Sequence, residues 1–187
     1  MWKPDNRVMV GSPHPLDALR HEHDRIFRVL SAMQAEAQGA VAHGRVDADF
    51  WADGLRFLAG YAEHWHDARE EAVFDHFPPF HVASETVRAL RTEHIQARGL
   101  VHELRAAVGE RDARSIELAA DLLTRLLRRH ILIEEDLFQR IVRREIADEQ
   151  LERAMADAVP AEAAIRARAL EELAEHVVAS ASTSQAG

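Results

Sequence analysis

Apolar residues recur along the chain in steps of three and four, with few two-residue alternations, and proline and glycine fall mostly between the periodic stretches. The pattern predicts an all-α protein. A first helix is expected from Pro15, a good first-turn residue, to Gly39, with Leu16, Leu19, His23, Ile26, Leu30 and Met33 along one side. A second should start at Asp47 or Asp49 and end before Pro78 and Pro79, its inner row running Trp51, Leu55, Leu58, Ala62, His66, Glu70, Val73 and Phe77. Ser84 is the expected N-cap of a third helix, with Val87, Leu90, His94, Ala97, Val101, Leu104 and Val108 inward and a stop at Gly109. The fourth, from about Asp112 to Arg144, carries Leu122, Leu126, His130, Ile133, Glu134, Leu137 and Ile141 on one face.

Helices of these lengths with short loops predict an antiparallel up-down-up-down four-helix bundle over residues 15–145. Residues 1–14 read as an N-terminal extension. Additional short C-terminal helices, broken at Pro160, are expected outside the bundle over 146–179, followed by a disordered tail at 180–187.

Every predicted stripe is interrupted by histidine, and two of them also by glutamate. Burying such groups is costly unless they are paired or bound to metal. The interruptions form a doubled order: "ALRHEH" (18–23) returns as "ALRTEH" (89–94), and "HDAREEAVF" (66–74) returns as "HILIEEDLF" (130–138). A histidine and a glutamate four residues apart lie one turn apart on one helix face, so His66 with Glu70 and His130 with Glu134 each aim a nitrogen and an oxygen at one point. With His23 and His94 added, four nitrogens and two carboxylates converge on the axis. Six such ligands exceed the usual set of one zinc ion, and a nitrogen and oxygen set without thiolate suits iron or manganese, so two metals about a pseudo-two-fold axis are the natural count. The spacing is neither the Glu-x-x-His of ferritin-like sites nor the HExxH of zinc peptidases.

Composition narrows the partners. The net charge of -9 argues against nucleic acid, which needs clustered lysine and arginine. The absence of cysteine removes disulfides, thiolate nucleophiles and iron–sulfur clusters. No apolar run approaches the roughly 20 residues of a membrane helix, and the first residues lack a signal-peptide core, so no membrane association and a cytoplasmic location are expected.

At "EHDRI", "HDAREEAVF", "TEHIQAR" and "RRHILIEEDLF" the chain resembles the hemerythrin-like, or HHE cation-binding, family over roughly residues 15–145. The resemblance implies a four-helix bundle around a non-haem di-iron centre. His23 and His66 would bind one iron, His94 and His130 the other, with Glu70 and Glu134 bridging and an oxo or hydroxo bridge between the two Fe ions. The oxygen-carrying members have a further histidine where this chain has Leu90, and an aspartate five residues past the last histidine where Glu134 follows His130 by four. One nitrogen fewer leaves a coordination position open, or filled by water or Tyr61, which favours activation of oxygen, peroxide or nitric oxide over reversible carriage.

Around the six, Asp67, Glu22 and Glu93 are candidates to orient imidazoles, while Glu71 and Glu135 fall one residue off the inward faces. Phe74 and Phe138 should close the apolar lining beyond the metals. Gly54, Gly60 and Gly99 suggest close helix approach. The expected chemistry is catalase-like or peroxidase-like detoxification; an oxygen or iron sensor or store without turnover, and a di-iron oxygenase acting on an organic substrate, are the alternatives.

Overall fold

The computed structural model describes residues 14–184, the side chains of Thr183 and Ser184 excepted, and no strand occurs among them. The expected N-terminal extension thus lies, His14 apart, outside the described residues. The elements are α1 (Pro15–His43), α2 (Ala48–Phe57), a π-helical stretch (Leu58–His66), α3 (Asp67–Phe74), α4 (Ser84–Glu110), α5 (Ala113–Leu137), a second π stretch (Phe138–Val142), α6 (Arg143–Glu145), α7 (Asp148–Asp157) and α8 (Ala161–Ser184).

The ends follow from local chemistry. His14 caps α1, its side chain accepting from the Leu16 N–H at 3.2 Å while Asp17 accepts from the His14 N–H at 3.1 Å. α1 does not stop at Gly39 but runs four residues further, because it is Gly44, at φ 68°, that takes up the left-handed conformation ending a helix. Asp47 and Asp112 cap α2 and α5 by accepting two backbone N–H groups each. Ser84 is the first residue of α4 and not its cap; the preceding Ala83 N–H donates to His81 Nδ1 at 3.0 Å. α4 ends past Gly109, with Arg111 at φ 54°.

From Ala48 to Phe74 the chain forms one continuous rod wound more loosely in its middle. Its i→i+5 winding brings Tyr61 and His66, five residues apart, both into the interior; in an α-helix they would diverge by roughly 140°. On α5 the buried residues include Leu123, Thr124, His130, Ile131, Glu134 and Leu137, so His130, Glu134 and Leu137 of the expected stripe are buried while Leu122 and Ile133 are exposed.

Two apolar clusters sit one above the other. The first joins Trp51, Phe57, Tyr61, Leu104 and Leu123 to Ala174 and Val177 of α8; the second joins Leu16, Leu19, Phe74, Leu90 and Phe138 to Leu151 and Met155 of α7. Along α1, α4 and α5 the polar residues fall between residues of the two clusters, which defines a polar layer across the interior. The C-terminal helices are not all short: α8 has 24 residues and packs on α1, α2 and the first π stretch, while α7 packs on α3 and α1. α8 includes residues 180–184 of the expected tail, and 185–187 lie outside the described residues. Gly60 marks the contact, because a Cβ there would stand 2.7 Å from Leu170 Cδ1; Gly54 faces Met33, and nothing approaches Gly99.

Candidate metal centre

The polar layer contains His23, His66, Glu70, His94, His130 and Glu134, all buried, with both glutamates wholly out of solvent. His23 comes from α1, His66 from the end of the π stretch, Glu70 from α3, His94 from α4, and His130 and Glu134 from α5. Their ligand atoms fall into two groups, His23, His66, Glu70, Glu134 and Glu70, His94, His130, Glu134; within each group all atoms lie within 4.8 Å of one another. Both glutamates belong to both groups.

Each imidazole turns Nε2 to the centre. His66 Nε2 and His23 Nε2 lie 2.8 Å and 3.0 Å from Glu70 Oε1, and His94 Nε2 lies 3.3 Å from Glu70 Oε2. His130 Nε2 and His23 Nε2 approach Glu134 Oε2 at 3.2 Å and 3.5 Å. The Nε2 atoms of His94 and His130 face each other at 3.1 Å. Despite these approaches, Glu70 Oε2 and both oxygens of Glu134 have no aligned hydrogen-bond donor. Buried carboxylate oxygens without donors, beside ring nitrogens that face one another, are what a cation ligand set looks like when described by protein atoms alone.

Each Nδ1 turns outward toward a second carboxylate, with a hydrogen bond at His66, His94 and His130 and none at His23. His66 Nδ1 is 2.8 Å from Glu22 Oε2, His94 Nδ1 3.2 Å from Glu71 Oε1, His130 Nδ1 3.1 Å from Glu93 Oε2, and His23 Nδ1 3.5 Å from Glu135 Oε1. Fixing Nδ1 sets ring orientation and leaves Nε2 free to ligate. Three of these carboxylates are themselves held: Glu22 accepts from Arg69 and from Trp65 Nε1, Glu71 from Arg91, and Glu93 from Arg129. Glu22 and Glu93 thus serve not the histidine beside them in sequence but the one on the following helix rod. Glu71 and Glu135, one residue off the inward face, reach across to the other half. Asp67 is not such a partner: its nearest approach to an imidazole is 3.9 Å to His94 Nε2, and Arg98 takes its other oxygen. Sequence reading missed the arginines and Trp65; the carboxylates were signalled by the repeat itself, since Glu22 matches Glu93 and Glu71 matches Glu135.

The electrostatics fit the same picture. Burial opposes charge on His23, but Glu134 and Glu70 outweigh it and raise its pKa to about 9; His66 goes to about 9 through Glu70, and His94 to about 10 through Glu70 and Glu71. His130 is raised by Glu134 against the same burial. Burial pushes Glu70 up, and His66, His23 and His94 outweigh it to hold the carboxyl well below its usual range. In the metal-free chain protons on the imidazoles thus supply positive charge beside Glu70. Burial also raises Asp67 to about 6, and raises Glu63.

Tyr61 does not reach the centre. Its hydroxyl meets Arg25 and Glu171, tying the π stretch to α1 and α8. Leu90 lies in the second apolar cluster, and Phe74 stacks on His94 at 6.3 Å and meets Phe138 at the same distance. Beside His66, Glu70, His94 and His130 lies an enclosed cavity of about 30 Å³, walled by Ile26, Leu58, Val101 and Leu123, with Glu63 and Asp67 the other carboxyls lining it.

The model of the hemerythrin HHE cation-binding domain matches residues 14–142, more than half of the chain. The chain belongs to the hemerythrin HHE family. Neither the curated proteins nor the solved structures contain a match. Membership makes residues 14–142 a metal-binding domain, and its buried His and Glu groups are ones that could hold a metal ion. The matched span ends at Val142, so α7 and α8 lie beyond it. No helix among the described residues is long and apolar enough to cross a membrane.

Proposed function

We propose that this hemerythrin-like domain holds two irons in an antiparallel up-down-up-down bundle and uses them on oxygen, nitric oxide or, most of all, hydrogen peroxide, in catalase-like or peroxidase-like detoxification. The observation that carries the reading is the pair of four-donor groups sharing Glu70 and Glu134. His23 and His66 would hold one ion, His94 and His130 the other, and the two glutamates would bridge. Nitrogen and carboxylate donors without thiolate suit iron and also manganese.

When bound, such a pair supplies two one-electron steps between ferrous and ferric states. The chain supplies the rest. Glu22, Glu71 and Glu93 hold imidazoles by Nδ1, so the ligand nitrogens stay aimed without reorganisation. The cavity of about 30 Å³ is of a size for one or two small molecules, well under the roughly 300 Å³ and more of an ordinary organic-ligand site, which speaks against a large organic substrate. Its apolar wall limits water. Asp67 and Glu63 line it as groups able to give and take protons. In the catalase balance one peroxide gains two electrons and two protons to become two waters, and a second yields them to become dioxygen.

A sensor without turnover is the second reading, and one contact favours it: α8 packs through Leu170 on Gly60 of the stretch that ends in His66. Metal analysis and peroxide turnover separate the two. About two irons per chain with sustained dioxygen release supports the enzyme; two irons with a single stoichiometric reaction and a change in α8 protection supports the sensor. No metal, or one zinc unaffected by His94→Ala and Glu134→Ala, refutes both.

A further inference from the structure

On the opposite side of the π stretch from the metal centre lies a second feature, an open groove of about 840 Å³ between α2, the end of α4 and the start of α8. Its floor is apolar, with Leu55, Gly60, Val108 and Leu170. Its charged lining is of one sign: Arg56, Arg105 and Arg166, beside His64, and no carboxylate among the described residues lines it. That is unexpected on a chain with 32 acidic and 23 basic residues. Arg56 is partly neutralised by Asp53 at 3.2 Å. Arg105 and Arg166 make no hydrogen bond or ion pair with any described residue, although Arg105 lies close enough to Glu63 to feel its charge.

We propose that this groove binds a small amphipathic carboxylate, its apolar body on Leu55, Gly60 and Leu170 and its head on the guanidiniums of Arg105 and Arg166. The volume falls in the range of small-molecule sites, roughly 300–1,000 Å³. Guanidinium forks match a planar carboxylate in bidentate fashion. A singly charged head fits better than a phosphate dianion, because Asp53 and Glu63 already offset part of the positive charge. The chain's own residues 1–13, with Lys3 and Arg7 against Asp5, lack the surplus negative charge to fill it. Trp65 lines the groove and donates to Glu22, whose other oxygen holds His66 Nδ1, so an occupant would touch the hydrogen-bond chain of one metal ligand.

The test is calorimetric titration of the full chain, metal-free and metal-loaded, with decanoate, decyl phosphate, decanol and decyltrimethylammonium. Binding of decanoate at one site per chain is expected, weakened at least about tenfold in R105Q/R166Q and by raised salt. Ala163→Leu, which fills the groove from a half-buried lining position, should abolish binding with the melting temperature kept. Decyltrimethylammonium binding as well as decanoate, or R105Q/R166Q retaining native affinity, would overturn the proposal. Decyl phosphate binding more tightly than decanoate would overturn the carboxylate assignment. Because the metal-free chain is titrated too, the outcome does not depend on the di-iron reading.

Discussion

Replacing Glu22 by glutamine tests whether the outer carboxylates hold the centre together. Glu22 is nearly buried, and its two oxygens serve three donors: His66 Nδ1 at 2.8 Å, Trp65 Nε1 at 3.3 Å and an Arg69 guanidinium that is itself only 12% exposed. Glutamine can keep Trp65 and Arg69 on its one oxygen in the place of Oε1, but it then turns its NH2 group toward His66 Nδ1 and leaves Arg69 without a counter-charge, so one donor loses its acceptor and one ion pair is lost. The lost acceptor costs about 1–3 kcal/mol, and with the lost charge beside the mostly buried Arg69, relaxed in part toward water, the sum is about 3 kcal/mol. For a chain of this length that lowers the melting temperature of the metal-free protein by roughly 6–12 °C. With Nδ1 of His66 no longer fixed, affinity for the ion on the His23 and His66 side should fall about 10- to 100-fold.

Glu93→Gln is the internal control. Its arginine, Arg129, is 62% exposed, so water replaces the lost partner and the melting temperature should drop by under about 4 °C, while affinity on the His94 and His130 side falls as much. Differential scanning calorimetry of the metal-free proteins and competitive metal titration read the two quantities separately. Equal melting losses in the two variants, or native affinity for both ions in Glu22→Gln, would refute the reasoning.

Metal loading at pH 7 should release roughly two to three protons per chain, because His23, His66 and His94 are raised to about 9, 9 and 10 and must be neutral to ligate; titration calorimetry in buffers of different ionisation enthalpy counts them, and release of under about one would contradict the charge balance. The same raised values stabilise the metal-free fold fully below about pH 6.5, and that contribution is lost as pH rises through 9 to 10, so its melting temperature should fall over that interval. Leu90→His places a nitrogen one turn before His94 at a buried position; it should lower peroxide turnover and widen the gap in melting temperature between loaded and metal-free protein, and an unchanged gap would show that the new ring does not reach the metal.

What could be read in the sequence, and what could not, follows from how strongly each residue type marks its face. His23, His66, His94 and His130 stand out in apolar stripes, so the structure's convergence of these residues was visible as spacing. On α5 the apolar residues come as neighbours, Leu122 with Leu123 and Leu126 with Leu127, so two phases fit equally and the burial of Leu123 rather than Leu122 is decided by packing. The π stretch left no trace, because an α-helical row through Leu58, Ala62 and His66 also brings His66 inward. The length of α8 was hidden by alanine, which marks no face: its buried residues are Ala167, Ala174, Val177 and Ala181.

The doubled sequence also explains why the site could not be assembled from two independent halves. Glu71 belongs to the first copy and orients His94 of the second; Glu135 belongs to the second and lies beside His23 of the first. Glu70 and Glu134 each enter both donor groups. Within each copy, by contrast, Glu22 holds His66 and Glu93 holds His130. One carboxylate in each adjacent pair faces inward and its neighbour faces a ring nitrogen, which requires two consecutive glutamates at the helix edge rather than one. The repeat therefore encodes an interlock in which each copy completes the other, and the residues one step off the apolar face do as much to define the centre as those on it.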